Sequence, residues 1–161
     1  MIEIVAYQDP WPIPDLAELN KLLQQLSPGK EPLTIEKVAE VILQPNIYFF
    51  AARNHNPPQS KIVGLAMVFF VERLEGWLAE FHTIVVDENY RGQGIGKKLL
   101  EEQIKKVERW ASFYRSEVTI YLTSNSSRAA AIRLYEKMGF ECVAQASGDH
   151  GTNLFRLVVT P

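Results

Sequence analysis

The chain holds one cysteine, Cys142, among 161 residues, which excludes an internal disulfide. That fits a reducing compartment, and a cytoplasmic location is the expectation. Cys142 lies in the strand-like run Phe140-Glu141-Cys142-Val143 and reads as a small strand residue. No apolar run reaches the length of a membrane span, so no membrane partner is expected. The start, Met1-Ile2-Glu3-Ile4-Val5, lacks a basic region followed by an apolar stretch, so no signal peptide is expected. Net charge is −2, and no basic excess points to nucleic acid. No His, Cys or Asp cluster has metal-ligand spacing, so no metal is expected. There is no internal repeat and no low-complexity tract. What remains is a hydrophobic fraction of 47% in a length suited to one domain with a sizeable core.

Periodicity divides the chain into alternating elements. Ile2 to Tyr7 reads as a strand, and the Pro-rich Asp9 to Pro14 breaks it. Asp15 is the expected cap of a helix reaching Leu26, with Leu16, Leu19, Leu22, Leu23 and Leu26 on one face. Thr34 opens a second helix to about Gln44, with Lys37 where a capping box would place Glu. Strands follow over Asn46 to Arg53, Lys61 to Glu72 and Gly76 to Val86, with a loop from Asn54 to Ser60. The middle one is apolar on both faces and therefore central. A long helix starts near Gly94 and runs to about Tyr114, burying Leu99, Leu100, Ile104, Val107, Ala111 and Tyr114. Val118 to Thr123 is a strand, and Ser127 to Met138 a helix stopped by Gly139. Phe140 to Ala146 and Asn153 to Val159 form a closing hairpin. This order predicts an α/β fold with a mixed, mostly antiparallel sheet of about seven strands and helices on both faces. One domain is expected over residues 1–161, in three stretches: to about 60, from there to about 140, and a C-terminal hairpin.

Between the apolar run Phe81 to Val86 and the long helix stands Arg91-Gly92-Gln93-Gly94-Ile95-Gly96. A glycine turn at a helix start leaves backbone N–H groups free, and the helix dipole favours an anion there. Lys97 and Lys98 oppose that dipole, which makes sense if a polyphosphate sits on the turn. The spacing is not that of the dinucleotide fingerprint. Nor is it a P-loop, because Lys98 follows Gly96-Lys97 where a hydroxyl residue would be needed.

The turn has two companions. Ala79 to Tyr90 precedes it, and Leu134-Tyr135-Glu136-Lys137-Met138-Gly139-Phe140 follows it. Together they resemble the GNAT superfamily of N-acetyltransferases, whose cofactor turn reads [R/Q]-x-x-G-x-[G/A]; Arg91, Gly94 and Gly96 match it. The resemblance covers about Lys61 to Phe140. It implies a GNAT fold, with acetyl-CoA as co-substrate and a primary amine of a small molecule or peptide as acceptor. It implies acceptor-side elements in the stretch to about 60 and a cofactor-binding core from there to about 140. It implies that the pantetheine arm lies where the fourth and fifth strands splay. Cofactor contacts are then expected from Ile84, Val86, Arg91, Gly92, Gln93, Gly94, Gly96, Lys97, Asn125 and Tyr135, with a backbone N–H near Val86 as oxyanion donor. The sequence departs from the family pattern at one point. Many members carry Asn seven residues before the Tyr; here that slot holds Arg128, and Asn125 is the substitute candidate.

Amine acetylation needs a base for the ammonium, a donor for the oxyanion and an acid for the leaving thiolate. Tyr135 matches the family's general acid. Glu80 is the leading base, with its pKa expected to be raised by burial among aromatics. His82, two residues on and on the same strand face, is the rival base. His150 is read as a hairpin-turn residue, with closure of the acceptor site as the alternative. Trp11, Trp77, Tyr48, Phe49 and Phe81, with Glu31, Glu36, Glu75 and Glu80, suit a cationic amine. The rival class is a non-catalytic acyl-CoA sensor on the same fold. Oligomeric state is open between monomer and homodimer.

Overall fold

Alternation and helical periodicity each become the element they predict. A computed structural model describes residues 1–7, 16–55, 60–146 and 151–161. Strand β1 is Ile2–Tyr7, followed by helices α1, Leu16–Leu26, and α2, Ile35–Ile42. Then come β2, Ile47–Asn54, β3, Lys61–Arg73, and β4, Gly76–Val86. Helix α3 spans Ile95–Tyr114, β5 Val118–Asn125 and α4 Ala129–Lys137. Strands β6, Glu141–Ala144, and β7, Thr152–Val159, complete the chain. The seven strands are hydrogen-bonded in the order β1-β2-β3-β4-β5-β7-β6. Pairs β1/β2, β2/β3, β5/β7 and β6/β7 are antiparallel, and β4/β5 is parallel. The sheet is therefore mixed, as the element order predicts. The expected Asp15 cap, Trp11 and His150 lie outside the described residues.

The chain divides into two compact units. One comprises Met1–Phe69 with Thr83–Ile104, the other Phe70–His82 with Lys105–Pro161. In the first, α1 and α2 lay Leu19, Leu22 and Ile42 against Phe49, Ile62, Leu65 and Met67 of β2 and β3. The α2 start is fixed by Thr34, whose hydroxyl accepts from the Lys37 N–H at 3.2 Å. Gln103 on α3 is fully buried and its amide donates to the Met67 carbonyl at 2.7 Å. In the second unit, Phe70 stacks on Trp110 at 4.0 Å, and Trp77 meets Trp110 at 5.2 Å and Tyr114 at 4.7 Å.

Four boundaries and faces differ from expectation. Strand β5 runs on to Asn125 because β7 pairs with it as far as Asn125↔Thr152. Helix α4 starts later, because the Asn125 side chain accepts the N–H and hydroxyl of Ser127 and holds a turn there. Strand β6 stops at Ala144, after the register shift between Cys142 and Ala144. Tyr114 is 44% exposed rather than buried, at the last position of α3.

Gly64 on β3 shows how closely the first unit is packed. A Cβ there would stand 3.0 Å from Leu99 Cδ1, 3.2 Å from the Val85 carbonyl oxygen and 3.3 Å from Ala52 Cβ. Gly64→Ala is therefore expected to destabilise the chain by about 1–3 kcal/mol through overpacking. Urea denaturation checks this; an unchanged midpoint would mean the wall has room.

Candidate active site

The turn after β4 is built by one buried carboxylate. Asp87 ends β4, is 4% exposed, and donates its N–H to the Val63 carbonyl of β3 at 2.9 Å. Its side chain accepts from the backbone and side-chain amides of Asn89, both at 3.0 Å, and so caps the short 3₁₀ turn Glu88–Tyr90. Its other oxygen meets Lys21 Nζ of α1 at 2.7 Å. Burial pushes the Asp87 carboxyl up, but the Lys21 hydrogen bond, the Asn89 amides and the Lys21 charge outweigh it, leaving the pKa below 3.8. Lys21 is raised above 10.5, first by the Asp87 hydrogen bond and then by its charge. The next turn of α1 adds a second tie. Gln25 accepts from the Glu88 N–H at 3.0 Å and from the Arg91 guanidinium at 3.4 Å.

Arg91 itself donates from Nε to the Val86 carbonyl at 3.1 Å. It therefore braces the turn from outside while remaining exposed. Gly92 and Gly94 have φ of 78° and 77°, and a Cβ on either would meet nothing within 4 Å. The left-handed backbone explains both glycines, and the space before them is open. The first helical bond of α3 runs from the Lys98 N–H to the Gly94 carbonyl at 3.1 Å. By helix geometry the N–H groups of Ile95, Gly96 and Lys97 precede the first carbonyl they could reach. Lys97 pairs with Glu101 at 3.4 Å. Backbone donors, a helix start, two cations and open space fit a polyphosphate.

Strand β4 is irregular before it reaches the turn. Its parallel ladder with β5 ends at Phe81↔Leu122, although β4 continues to Val86. Thr83, a β-branched residue, sits at φ 56°, which is an outlier for its type. Because the Asp87 N–H bonds β3, strand alternation turns the Val86 N–H away from β3. Ile84 and Val86 are half-buried.

The remaining candidates belong to the second unit. Glu80 Oε2 and His82 Nε2 are 3.1 Å apart, so the two rival bases form one pair on one strand face. Their side chains are 45% and 48% exposed, so the burial expected around Glu80 is not there. The neighbouring Phe81 side chain points to the opposite face and packs at 6.1 Å from Phe140. Tyr135 is 6% exposed, 5.7 Å from Phe155 and 6.1 Å from Phe140 by ring centres. Burial raises its pKa above 10, opposed in part by the Arg128 charge, so the phenol is protonated at neutral pH. Asn125 directs its carboxamide oxygen at Ser127, 2.9 Å from the N–H and 2.7 Å from the hydroxyl. Of the aromatic and acidic residues read as cationic-amine partners, Phe49 and Glu31 border a cavity between α1, α2 and the inner strands. Trp77 is instead committed to the Trp110 cluster. Sequence reasoning missed Asp87, Lys21 and Gln25, and nothing local to each marks them; they meet across 66, 66 and 63 residues of chain.

Comparison with known proteins bears on the family and the fold. The family model described as the acetyltransferase (GNAT) domain matches residues 45–142. The N-alpha-acetyltransferase RimI of Mycobacterium tuberculosis is 30% identical over 129 residues, covering 80% of this chain and 74% of that protein. The ribosomal protein bS18-alanine N-acetyltransferase of Escherichia coli is 42% identical over 62 residues, 38% of either chain. Among solved structures, Arabidopsis thaliana NAA60 in complex with a bisubstrate analogue superimposes with a TM-score of 0.74 at 23% identity, covering 98% of this chain and 100% of that one.

The Asp87 tie carries a pH signature. A depressed carboxyl stabilises the fold above its unfolded value and stops doing so as pH falls through the folded one. Asp87→Asn is therefore expected to lose about 1–3 kcal/mol at neutral pH. That gap from wild type should close as pH drops below 3.8. The raised Lys21 contributes fully below 10.5 and is lost at higher pH, weakly because the lysine is 59% exposed. Urea midpoints across pH check the sign; a gap that persists in acid would contradict it.

Proposed function

This chain belongs to the GNAT family of acetyltransferases, and from that premise we propose a peptide α-amine as acceptor, Tyr135 as acid and the Glu80–His82 pair as base. The enzyme is an acetyl-CoA-dependent N-acetyltransferase. One relative is named as an N-alpha-acetyltransferase and another as acting on an alanine of a ribosomal protein, which supports the acceptor class and favours an enzyme over a non-catalytic sensor. The observation that carries the cofactor side is the turn with its two left-handed glycines and open front. There the amides of residues 92–97, with Arg91 and Lys97, hold the polyphosphate. The Val86 N–H, turned away from β3, is the oxyanion donor. Ile84 lies along the pantetheine, and Asn125 is a further contact to it.

Bound acetyl-CoA supplies an electrophilic thioester carbonyl. The protein removes a proton from the acceptor and provides one at the leaving sulfur. An α-amine of pKa about 7.7–8.0 is neutral in roughly one molecule in ten at pH 7, whereas a group of pKa about 10.4 is neutral in roughly one in a few thousand. A half-exposed carboxylate–imidazole pair suits the lighter demand. Glu80 attracts the ammonium and accepts its proton directly or through His82, 3.1 Å away. Tyr135, buried and protonated, donates to the sulfur. A cytoplasmic location, where a thioester donor and the free thiol of exposed Cys142 both persist, belongs to the same proposal.

Two sets of variants test these roles. Gly94→Asn keeps a residue type that tolerates left-handed backbone but fills the space before the turn. It is expected to weaken coenzyme A binding about tenfold by calorimetry. Gly94→Val adds backbone strain on the order of 1–3 kcal/mol. Unchanged affinity in a folded Gly94→Asn protein would move the phosphate site elsewhere.

Tyr135→Phe should lower kcat about a hundredfold and leave the acetyl-CoA KM nearly unchanged. Glu80→Gln should cost most with a lysine-type amine and little with an α-amine above pH 8, where free amine is abundant. Full activity in Tyr135→Phe removes it from the chemistry. Overlaid kcat/KM profiles for Glu80→Gln and wild type, with both amines, remove Glu80.

A further inference from the structure

The proton-transfer groups leave one cavity of the first unit unused. It measures about 290 Å³ and lies between α1, α2 and the inner strands, reaching β4 at Thr83. Its wall is carbon: Leu19, Leu23 and Leu26 of α1, Val38 and Val41 of α2, and Met67 of β3. The charged groups, Lys30, Glu31 and Lys37, come from the α1–α2 connection and the first turn of α2. An ammonium placed against the carbon wall would lose its water, and Glu31, the one carboxylate among the described lining residues, is outnumbered by two lysines.

The cavity is held open by the protein itself. Asn20 on α1 donates to the Leu33 carbonyl at 3.0 Å and accepts the Leu33 N–H at 2.7 Å. Gln24, one turn on, donates to the Lys30 carbonyl and accepts the Gly29 N–H at 3.3 Å. These amides strap the loop between α1 and α2 to α1. Leu23, Leu26, Leu33, Val38 and Val41 pack against the core yet stay only partly buried. The helix that forms this wall also grips the cofactor turn through Lys21 and Gln25. One element therefore positions both the turn and the cavity.

We propose that this cavity takes the side chain of the acceptor's N-terminal residue, and that this residue is large and aliphatic, such as Leu or Met. The inference rests on the α-amine reading and adds the side chain to it. At about 30 Å³ per water, the space equals roughly ten waters, far more than an alanine methyl fills. A lysine would bring a charge to an apolar wall. The polar lining groups, Lys30, Glu31 and Lys37 among them, suit an occupant that carries a peptide backbone. A long donor acyl chain has no polar end to match them.

The test compares leucinamide, alaninamide and lysinamide as acceptors with saturating acetyl-CoA, and alaninamide with octanoyl-CoA. A single methylene in an apolar site discriminates about 10–200-fold, so kcat/KM for leucinamide should exceed that for alaninamide at least about tenfold, with lysinamide far below leucinamide. Val38→Phe narrows the cavity and should bring the leucinamide-to-alaninamide ratio toward one. If that variant does not fold, the wild-type ratio decides alone. Acetylation of all three amides without preference overturns the cavity assignment and leaves the α-amine reading standing. Failure to acetylate any of them, in protein that still binds coenzyme A, overturns the α-amine reading and the cavity assignment with it. Faster octanoyl than acetyl transfer to alaninamide, abolished by Val38→Phe, makes the cavity a donor-chain site and overturns the proposal.

Discussion

The first unit depends on the carboxylate of Asp87. Its backbone closes the β3 ladder at Val63, and its side chain caps the 3₁₀ turn at Asn89 and holds α1 at Lys21. A buried charge is costly unless each lone pair is matched, and here two amides and an ammonium match it. The result is a fixed exit from β4, so the two left-handed glycines and the α3 start stand in one place before any ligand arrives. Preorganised backbone donors bind an anion without first having to be ordered.

The same helix couples two regions of different chemistry. One face of α1 carries Lys21 and Gln25 to the turn; the adjacent positions carry Asn20 and Gln24 to the loop and Leu19 and Leu23 to the cavity. A helical repeat of 3.6 residues makes this division natural, since successive residues fall on different faces. The polar turn and the apolar cavity thereby share a scaffold without sharing a residue type. The carboxylate–imidazole pair of the second unit stays half-exposed, in keeping with the proposed α-amine acceptor, which loses its proton readily.

Local features were legible in the sequence. The glycines at 92 and 94, the Gly139 stop, the Thr34 cap and the β4 limits each follow from a preference that acts over a few residues. Tyr135 was legible from its run, and the structure adds why it is protonated: aromatic neighbours bury it, and Arg128 only partly offsets this. What escaped depends on distance along the chain. Lys21 and Asp87 are 66 residues apart, and neither stands in a pattern of its own. Gln103 on α3 is buried, its amide meeting the Met67 carbonyl across 36 residues, and no local pattern marks that partner. The expectation of a buried Glu80 failed for a related reason. Aromatic content does not say which strand face the rings take, and Phe81 faces away from Glu80. The cavity was invisible because it is a property of how two amides strap a loop.

The central claim is that the fixed turn after β4 receives the polyphosphate of coenzyme A through its backbone amides. Amide hydrogen exchange with and without coenzyme A tests it most directly. The account predicts that ligand slows exchange at residues 92–97 and along Ile84–Val86, while the amides of β1 and β2 are unaffected. Protection that appears elsewhere, with the turn amides exchanging as fast as before, would contradict it.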